Sequence, residues 1–463
     1  MSTTPSSQVV IRTAVTAILI HEDAVFLIRR SPKLIAFSGF NAFPGGKVEE
    51  SEATHAFDDV RLDALDRRVL HGLNRELKEE VGIDLEAMAR AGEVLSVDEM
   101  GRATTPPIST TFRFATHFFR VRLTRRPEVI HCTDEISESG WATPARWLER
   151  YRAGELLLAP PTLTVLELLR ADLNGSRIPE SWAEPERDAV FNDGEVYGVR
   201  VFRVRSNTLP PAAHTNCFLL GDAEAPQVLV DPSPANLDEY RELLDEVRPR
   251  KLTEIFLTHH HPDHREYADR LARDLEIPLG ASADTQARIR SKAPAFFDGE
   301  RVKSYKEGDV LTRWLGSPVR VLEVPGHDEG QLALMPDNRG WCIVGDLIQG
   351  VGTVVIAAPE GDMGKYFRTL RRVIDLKPRV IFPSHGIAAG TTHWLEVTLN
   401  HREMREEQIL GKILDGRPMD DIVKDLYGQL DMRLQVLGRM TVQSHLAKLR
   451  AEGRLTSPKQ APG

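Results

Sequence analysis

The sequence predicts a layered α/β protein that ends in a small helical domain, and three observations carry this expectation. Short β-branched runs alternate with helix-periodic segments over most of the chain. At 463 residues the chain exceeds what one hydrophobic core usually organises, so two or three domains are expected. From about His401 the strand-like runs cease and the pattern becomes mostly helical.

The elements follow in order. Val9 to Ile20 and Ala24 to Arg29 are dense in β-branched residues and read as paired strands around the turn His21-Glu22-Asp23. A charged helix is expected from about Asp63 to Val81, with Leu65, Leu70, Leu73, Leu77 and Val81 on its buried side. Further strands are expected near Glu93 to Val97 and Thr111 to Leu123. Ala171 to Val190 mixes proline, glycine and charge without periodicity and reads as a linker, with a boundary near residue 180. Beyond it come a strand ending at Asp231, a helix from Leu237 to Val247 and a strand from Glu254 to Thr258. The expected domains are 1–180, 181–400 and 401–463.

Net charge is −9 and the isoelectric point is near 6.0, so no overall field attracts nucleic acid or an anionic membrane. Three widely spaced cysteines, Cys132, Cys217 and Cys342, suggest neither a disulfide framework nor a cysteine zinc site. The first residues carry no signal-peptide pattern, and no apolar run nears the roughly 20 residues that span a bilayer. A cytoplasmic protein without membrane contact is the expectation.

Two constellations carry chemistry. In the first, Phe43 to Glu52 reads FPGGKVEESE and Arg75 to Ile83 reads RELKEEVGI. Glu76, Glu79 and Glu80 fall at i, i+3 and i+4, so a helix sets three carboxylates on one face. Such a group suits a hard cation, Mg²⁺ or Mn²⁺, and the glycine pair lets backbone approach the ion or a phosphate. A solvated acidic face is the plain alternative for the second segment taken alone. Together the halves resemble the Nudix box at Gly46, Glu52, Arg75, Glu76, Glu79, Glu80 and Gly82. The box normally has seven residues between its first glutamate and its arginine; here there are 22, Ala53 to Asn74. The extra length must loop out or extend the helix backwards. The lead-in from Leu27 to Gly46 also resembles a coenzyme A-directed subset, with Ile28 and Ile35 where that pattern has threonine and arginine. The resemblance implies an α+β Nudix fold that cleaves a nucleoside-diphosphate linkage, with Glu76 as catalytic residue. A purely ligand-binding module is the alternative.

In the second, Thr258 to His264 reads THHHPDH just past an apolar strand, where open α/β sheets place ligand sites. Imidazoles with a carboxylate suit zinc or another borderline transition metal. Alternation sends His259 and His261 to one side and His260 to the other. Downstream, apolar runs end in His327, Asp346 and His385. In order and type these elements resemble the metallo-β-lactamase superfamily, a four-layered αββα sandwich. That resemblance implies two Zn²⁺ or other transition-metal ions: His259, His261 and His327 on one, Asp263, His264 and His385 on the other, and Asp346 bridging, with Asp263 also catalytic. A water between two such ions loses its proton near neutral pH. Asp231 matches an early aspartate that orients ligands, or caps the helix that follows. The absence of a cysteine ligand and the bridging aspartate point to the glyoxalase II-like and ribonuclease branches. Arg265 and Glu266 replace the small residues usual after the motif, and Gln331 replaces a histidine common among relatives.

His401 to Leu410 and Thr441 to Leu455 resemble the winged-helix-like appendage of the β-lactamase-like endoribonuclease family, as Gly350 to Ala357 resembles that family's sequence after its bridging aspartate. From Met432 onward six basic residues, Arg433, Arg439, Lys448, Arg450, Arg454 and Lys459, face one acid, Glu452. They could hold nucleic-acid phosphates, or the domain packs on the sandwich or against a second copy of the chain. The expected function is a metal-dependent hydrolase whose lactamase-fold site cleaves an ester or thioester and whose Nudix half takes a nucleotide or coenzyme A derivative. A single-strand ribonuclease is the alternative, so RNA and a homodimer stay open as partners.

Overall fold

The computed structural model describes residues 10–455 apart from 35, 64, 106–111, 184–190, 300 and 431. Val9, Thr111, Ile35, the end of the expected linker and Lys459 lie outside the described residues. The chain forms two compact units, residues 1–203 and 204–463.

The first unit is built on a mixed seven-stranded sheet. Val10–His21 and Ala24–Arg30 form the expected hairpin, and Phe112–Leu123 runs parallel to the first strand. Residues of Val10–His21 alternate between two cores, which is why the strand reads as a continuous apolar run. Ala17 and Leu19 face the helix Arg67–Val81, while Ile18 and Ile20 face the helices Pro144–Arg152 and Pro160–Ala171. The helix Arg67–Val81 buries Leu70, Leu73, Leu77 and Val81 as its 3.6-residue pattern requires. It starts later than expected because the Asp66 side chain accepts from the Val69 amide and caps it. Leu65 packs at the edge of the same core, and a one-turn helix, Val60–Asp63, precedes it. The inserted stretch therefore does both things open to it: it loops out, then extends the box helix backwards. Gly82, at φ 71°, ends the helix.

The second unit contains two sheets. The strands His214–Leu220, Gln227–Val230, Leu252–Phe256, Leu279–Ala281 and Val302–Ser304 lie side by side, all parallel after the first pair. The other sheet runs in order Val310–Trp314, Ser317–Glu323, Leu332–Pro336, Cys342–Ile343, Val380–Phe382 and Ala389–Gly390. Phe218 and Phe382, one from each sheet, meet edge to face at 5.5 Å between ring centres. The Leu332 amide donates to the Thr258 carbonyl at 2.9 Å, tying the two sheets at the edge of the histidine loop. Helix Met363–Leu376 covers the second sheet through Tyr366, Phe367, Leu370 and Val373. Helices His393–Leu414, Met419–Tyr427 and Met432–Ala451 share a further core of Ile409, Ile422, Val442, Leu446 and Leu449. Among the described residues no helix is long and apolar enough to cross a membrane.

Candidate metal centres

In the first unit, Gly45 and Gly46 lie on a short strand beside Val15, with the box helix across from them. A Cβ on Gly46 would stand 2.5 Å from both carboxylate oxygens of Glu76, so only glycine leaves that carboxylate its place. Glu80 is buried and accepts from the Gly45 amide at 2.9 Å. Burial pushes its carboxyl up to about 7 and also raises that of Glu76. Glu79 lies at the surface. The Arg75 guanidinium reaches Glu52 at 2.8 Å, Glu76 at 3.0 Å and Glu79 at 2.8 Å. This cation supplies positive charge beside the carboxylates, and the oxygens of Glu76, Glu79 and Glu80 do not converge within ligand distance. Ile28 is buried in the sheet core, so its departure from the coenzyme A lead-in serves packing.

In the second unit every predicted ligand follows a strand. His259, His261, Asp263 and His264 come after Leu252–Phe256, His327 after Ser317–Glu323, Asp346 after Cys342–Ile343 and His385 after Val380–Phe382. Side-chain atoms of His259, His261 and His327 gather in one group, those of Asp263, His264 and His385 in another, and Asp346 shares a group with His259 and His264. His259 Nε2 and His327 Nε2 lie 3.0 and 3.1 Å from His261 Nδ1. Asp346 spans the two groups: Oδ1 is 3.6 Å from His264 Nε2 and 3.5 Å from His385 Nε2, and Oδ2 is 3.8 Å from His327 Nε2.

The outer nitrogen of each histidine is already engaged. His385 Nδ1 donates to the His214 carbonyl and His327 Nδ1 to the Val355 carbonyl, both at 2.9 Å. His264 Nδ1 donates to Asp231 at 2.9 Å. Thr258 Oγ1 gives its proton to Asp231 and so accepts from His259 Nδ1 at 3.1 Å. His261 is turned the other way, its Nε2 donating to Glu360 at 3.0 Å. Each of the five rings is thus held by its outer nitrogen and turns its other nitrogen inward, the arrangement that ligating histidines require. His264 Nε2 and Asp346 Oδ1 are buried with no hydrogen-bond partner. An unpaired buried polar atom costs about 1–3 kcal/mol, which a cation would relieve. Burial, then the neighbouring rings, holds His259 well below the usual imidazole value and His261 at about 4, so both are neutral donors at pH 7. The residues fit divalent metal.

Residues 10–156 match the NUDIX domain family and residues 210–385 the metallo-beta-lactamase superfamily. The chain joins a Nudix domain to a metallo-β-lactamase domain. Both are hydrolase domains. A Drosophila melanogaster beta-lactamase-like protein 2 homolog is 29% identical over 53% of this chain and 86% of its own length. A Bdellovibrio bacteriovorus hydroxyacylglutathione hydrolase is 28% identical over 40% of this chain and 67% of its own. The crystal structure of a beta-lactamase domain protein from Burkholderia ambifaria, 20% identical, shares the fold at a TM-score of 0.50, covering 62% of this chain and 92% of that one.

In the metallo-β-lactamase domain the structure decides what several supporting residues do, and adds Asn216, Thr258 and Glu360, which the sequence reading did not single out. Asp231 is fully buried at φ 50° and accepts from the Thr258 amide and hydroxyl as well as from His264. The helix Leu237–Val247 is capped by Asn236 instead, and Asp231 holds Thr258 and the His264 ring. Asn216 donates to the Pro383 and Gly386 carbonyls and holds the His385 loop. Arg265 turns away from the metal groups, donating to the His260 carbonyl and lying over Phe296, while Glu266 accepts from Asn207. Gln331 donates to the Val344 carbonyl. These departures from the family pattern serve local packing.

Proposed function

We propose that the metallo-β-lactamase domain is a dinuclear hydrolase of esters or thioesters and that the Nudix domain acts on a nucleoside-diphosphate-linked substrate. The observation that carries the first half is the convergence of seven side chains from four strand ends, with all five rings oriented from outside. His259, His261 and His327 would hold one ion, Asp263, His264 and His385 the other, and Asp346 both. Such ions, zinc by the nitrogen-rich donor set, would supply a nucleophile at neutral pH and polarise the scissile carbonyl. Asp263, more exposed than Asp346, would take up the proton released on attack. A hydroxyacylglutathione hydrolase and an atrochrysone carboxyl ACP thioesterase among the relatives support the ester or thioester class. For the Nudix domain, Glu76 and Glu80 at the glycine turn would hold Mg²⁺ or Mn²⁺ once Arg75 gives way, with Glu79 joining them.

The ribonuclease reading draws less support. Three of the six cations counted at the C-terminus pair with acids: Arg439 with Asp420, Lys448 with Glu406 and Glu452, and Arg454 with Glu407. The test is metal analysis and an ester, thioester and single-stranded RNA panel on the full chain and its His259→Ala variant. Two transition-metal ions per chain and variant-sensitive thioester turnover are expected. Fewer than one ion, unchanged in the variant, would sink the proposal.

A further inference from the structure

His260 points away from the seven ligands into a group with Asp328, Glu360 and His261 that could itself pass for a metal site. Lys292 fills it. Its Nζ lies 2.6 Å from Glu360 Oε1 and 2.9 Å from His260 Nε2, so an ammonium already occupies the centre. Because Lys292 can only donate, His260 Nε2 is an acceptor and its proton sits on Nδ1, 2.8 Å from buried Asp328. On the other side Glu360 Oε2 accepts from His261 Nε2 at 3.0 Å. The result is a continuous row of polar contacts, Asp328, His260, Lys292, Glu360, His261, that ends at the one of the five rings presenting Nδ1 inward. Arg288, 3.8 Å from Asp328, closes its far end.

We propose that Glu360, held by Lys292, is a positioning residue that fixes His261 as an Nδ1 ligand and thereby sets the affinity of one of the two metal ions. The inference rests on the dinuclear reading above. A carboxylate on the outer nitrogen of a ligating imidazole holds its tautomer and raises its basicity, and its loss typically costs 10- to 100-fold in metal affinity. Glu360 touches only one ligand of one trio. The other four rings keep their own acceptors, so the effect should be confined to one ion. Lys292, 2.6 Å from Glu360 Oε1, holds that carboxylate with its other oxygen toward His261.

The test is cobalt(II) titration of the chelator-stripped full chain, with a competing chelator to resolve two affinities, for wild type, Glu360→Gln, Glu360→Ala and Lys292→Met. The wild-type chain is expected to bind two ions. Glu360→Ala should weaken one of them about 10- to 100-fold and shift that ion's visible absorption bands. Glu360→Gln, whose amide oxygen still accepts from His261, should fall between, as should Lys292→Met. Two wild-type affinities in Glu360→Ala would overturn the proposal. So would equal loss of both ions with earlier unfolding of the metal-free protein, since that marks general damage. A wild-type chain that binds fewer than two ions refutes the parent reading instead.

Discussion

Replacing Asp231 by asparagine tests how far the metal centre depends on groups that never touch metal. Asp231 is fully buried and accepts three hydrogen bonds: from the Thr258 amide at 2.7 Å, the Thr258 hydroxyl at 2.6 Å and His264 Nδ1 at 2.9 Å. The first falls on Oδ1 and the other two on Oδ2. Asparagine tolerates the left-handed backbone here, φ 50°, so strain is not the variable. Whichever way its amide points, an NH₂ group faces at least one donor. With the oxygen toward His264, the Thr258 amide is left unpaired, at a cost of about 1–3 kcal/mol. Asp231→Ala strands all three donors and should cost about 3–6 kcal/mol, adding strain at the same φ. The second consequence is local. His264 loses the anion that fixes its tautomer, and the ion it ligates should bind about 10- to 100-fold more weakly. Urea unfolding of the chelator-treated chain reads the first effect, and competitive cobalt titration reads the second. If Asp231→Asn left both unchanged, the claim that outer partners position these ligands would be wrong.

In the Nudix domain, Gly46→Ala should displace Glu76 and cut Mg²⁺-dependent turnover of nucleotide pyrophosphates at least tenfold, the Cβ having no room beside that carboxylate; turnover at the wild-type rate would remove Glu76 from the site. Glu80, raised by burial to about 7, is protonated in the folded metal-free protein below that pH, whereas the unfolded chain ionises near 4.5. The stability of the metal-free chain should therefore fall as pH rises from about 4.5 to about 7, and Mg²⁺ binding at pH 6 should release close to one proton. Calorimetry in buffers of different ionisation enthalpy measures that release, and Glu80→Gln should abolish it. Arg402→Met should weaken metal binding without touching a ligand, for a reason developed below; chelator competition reads it, and unchanged affinities would refute the link.

What the sequence made legible follows from where chemistry sits in an open sheet. Each ligand stands just past a short apolar run, so His327, Asp346 and His385 announce themselves as polar residues ending strands, and the spacing of Thr258 to His264 sorts its histidines. Of the outer partners, Asp231 was legible only through its match to the family pattern, and Glu360 had no signal. Glu360 lies 99 residues from His261 and is an ordinary acid before a helix until the fold brings it alongside, whereas for Asp231, 33 residues from His264, orienting a ligand and capping the next helix could not be told apart until its contacts were seen. The basic count at the C-terminus omits acids that come before Met432: Glu406, Glu407 and Asp420 pair with Lys448, Arg454 and Arg439. For the box helix, the apolar period extended past the cap, and the Asp66 signal decided the true start.

The C-terminal helices gain a purpose from the same contacts. The segment after Asp346 carries two outer partners, the Val355 carbonyl for His327 and the Glu360 carboxylate for His261. Residues 351–360 include only irregular backbone, which by itself would hold neither in place. Buried Arg402, on helix His393–Leu414, donates to the Val354 carbonyl and the Thr353 hydroxyl. Ser444, on helix Met432–Ala451, donates to the Ile356 carbonyl at 2.8 Å. Two helices therefore pin the backbone on either side of Val355. Those helices are held to each other by buried Glu406, which accepts from His445 and Lys448 and is kept below the usual carboxylate range although burial opposes this. The C-terminal helices thus have a structural task beside the histidine and aspartate cluster. Loss of the Arg402 guanidinium frees Val354, lets the Val355 carbonyl swing, and leaves His327 without the acceptor that keeps its Nε2 pointed at the ion, which is why a substitution on helix His393–Leu414 should be read out as metal affinity.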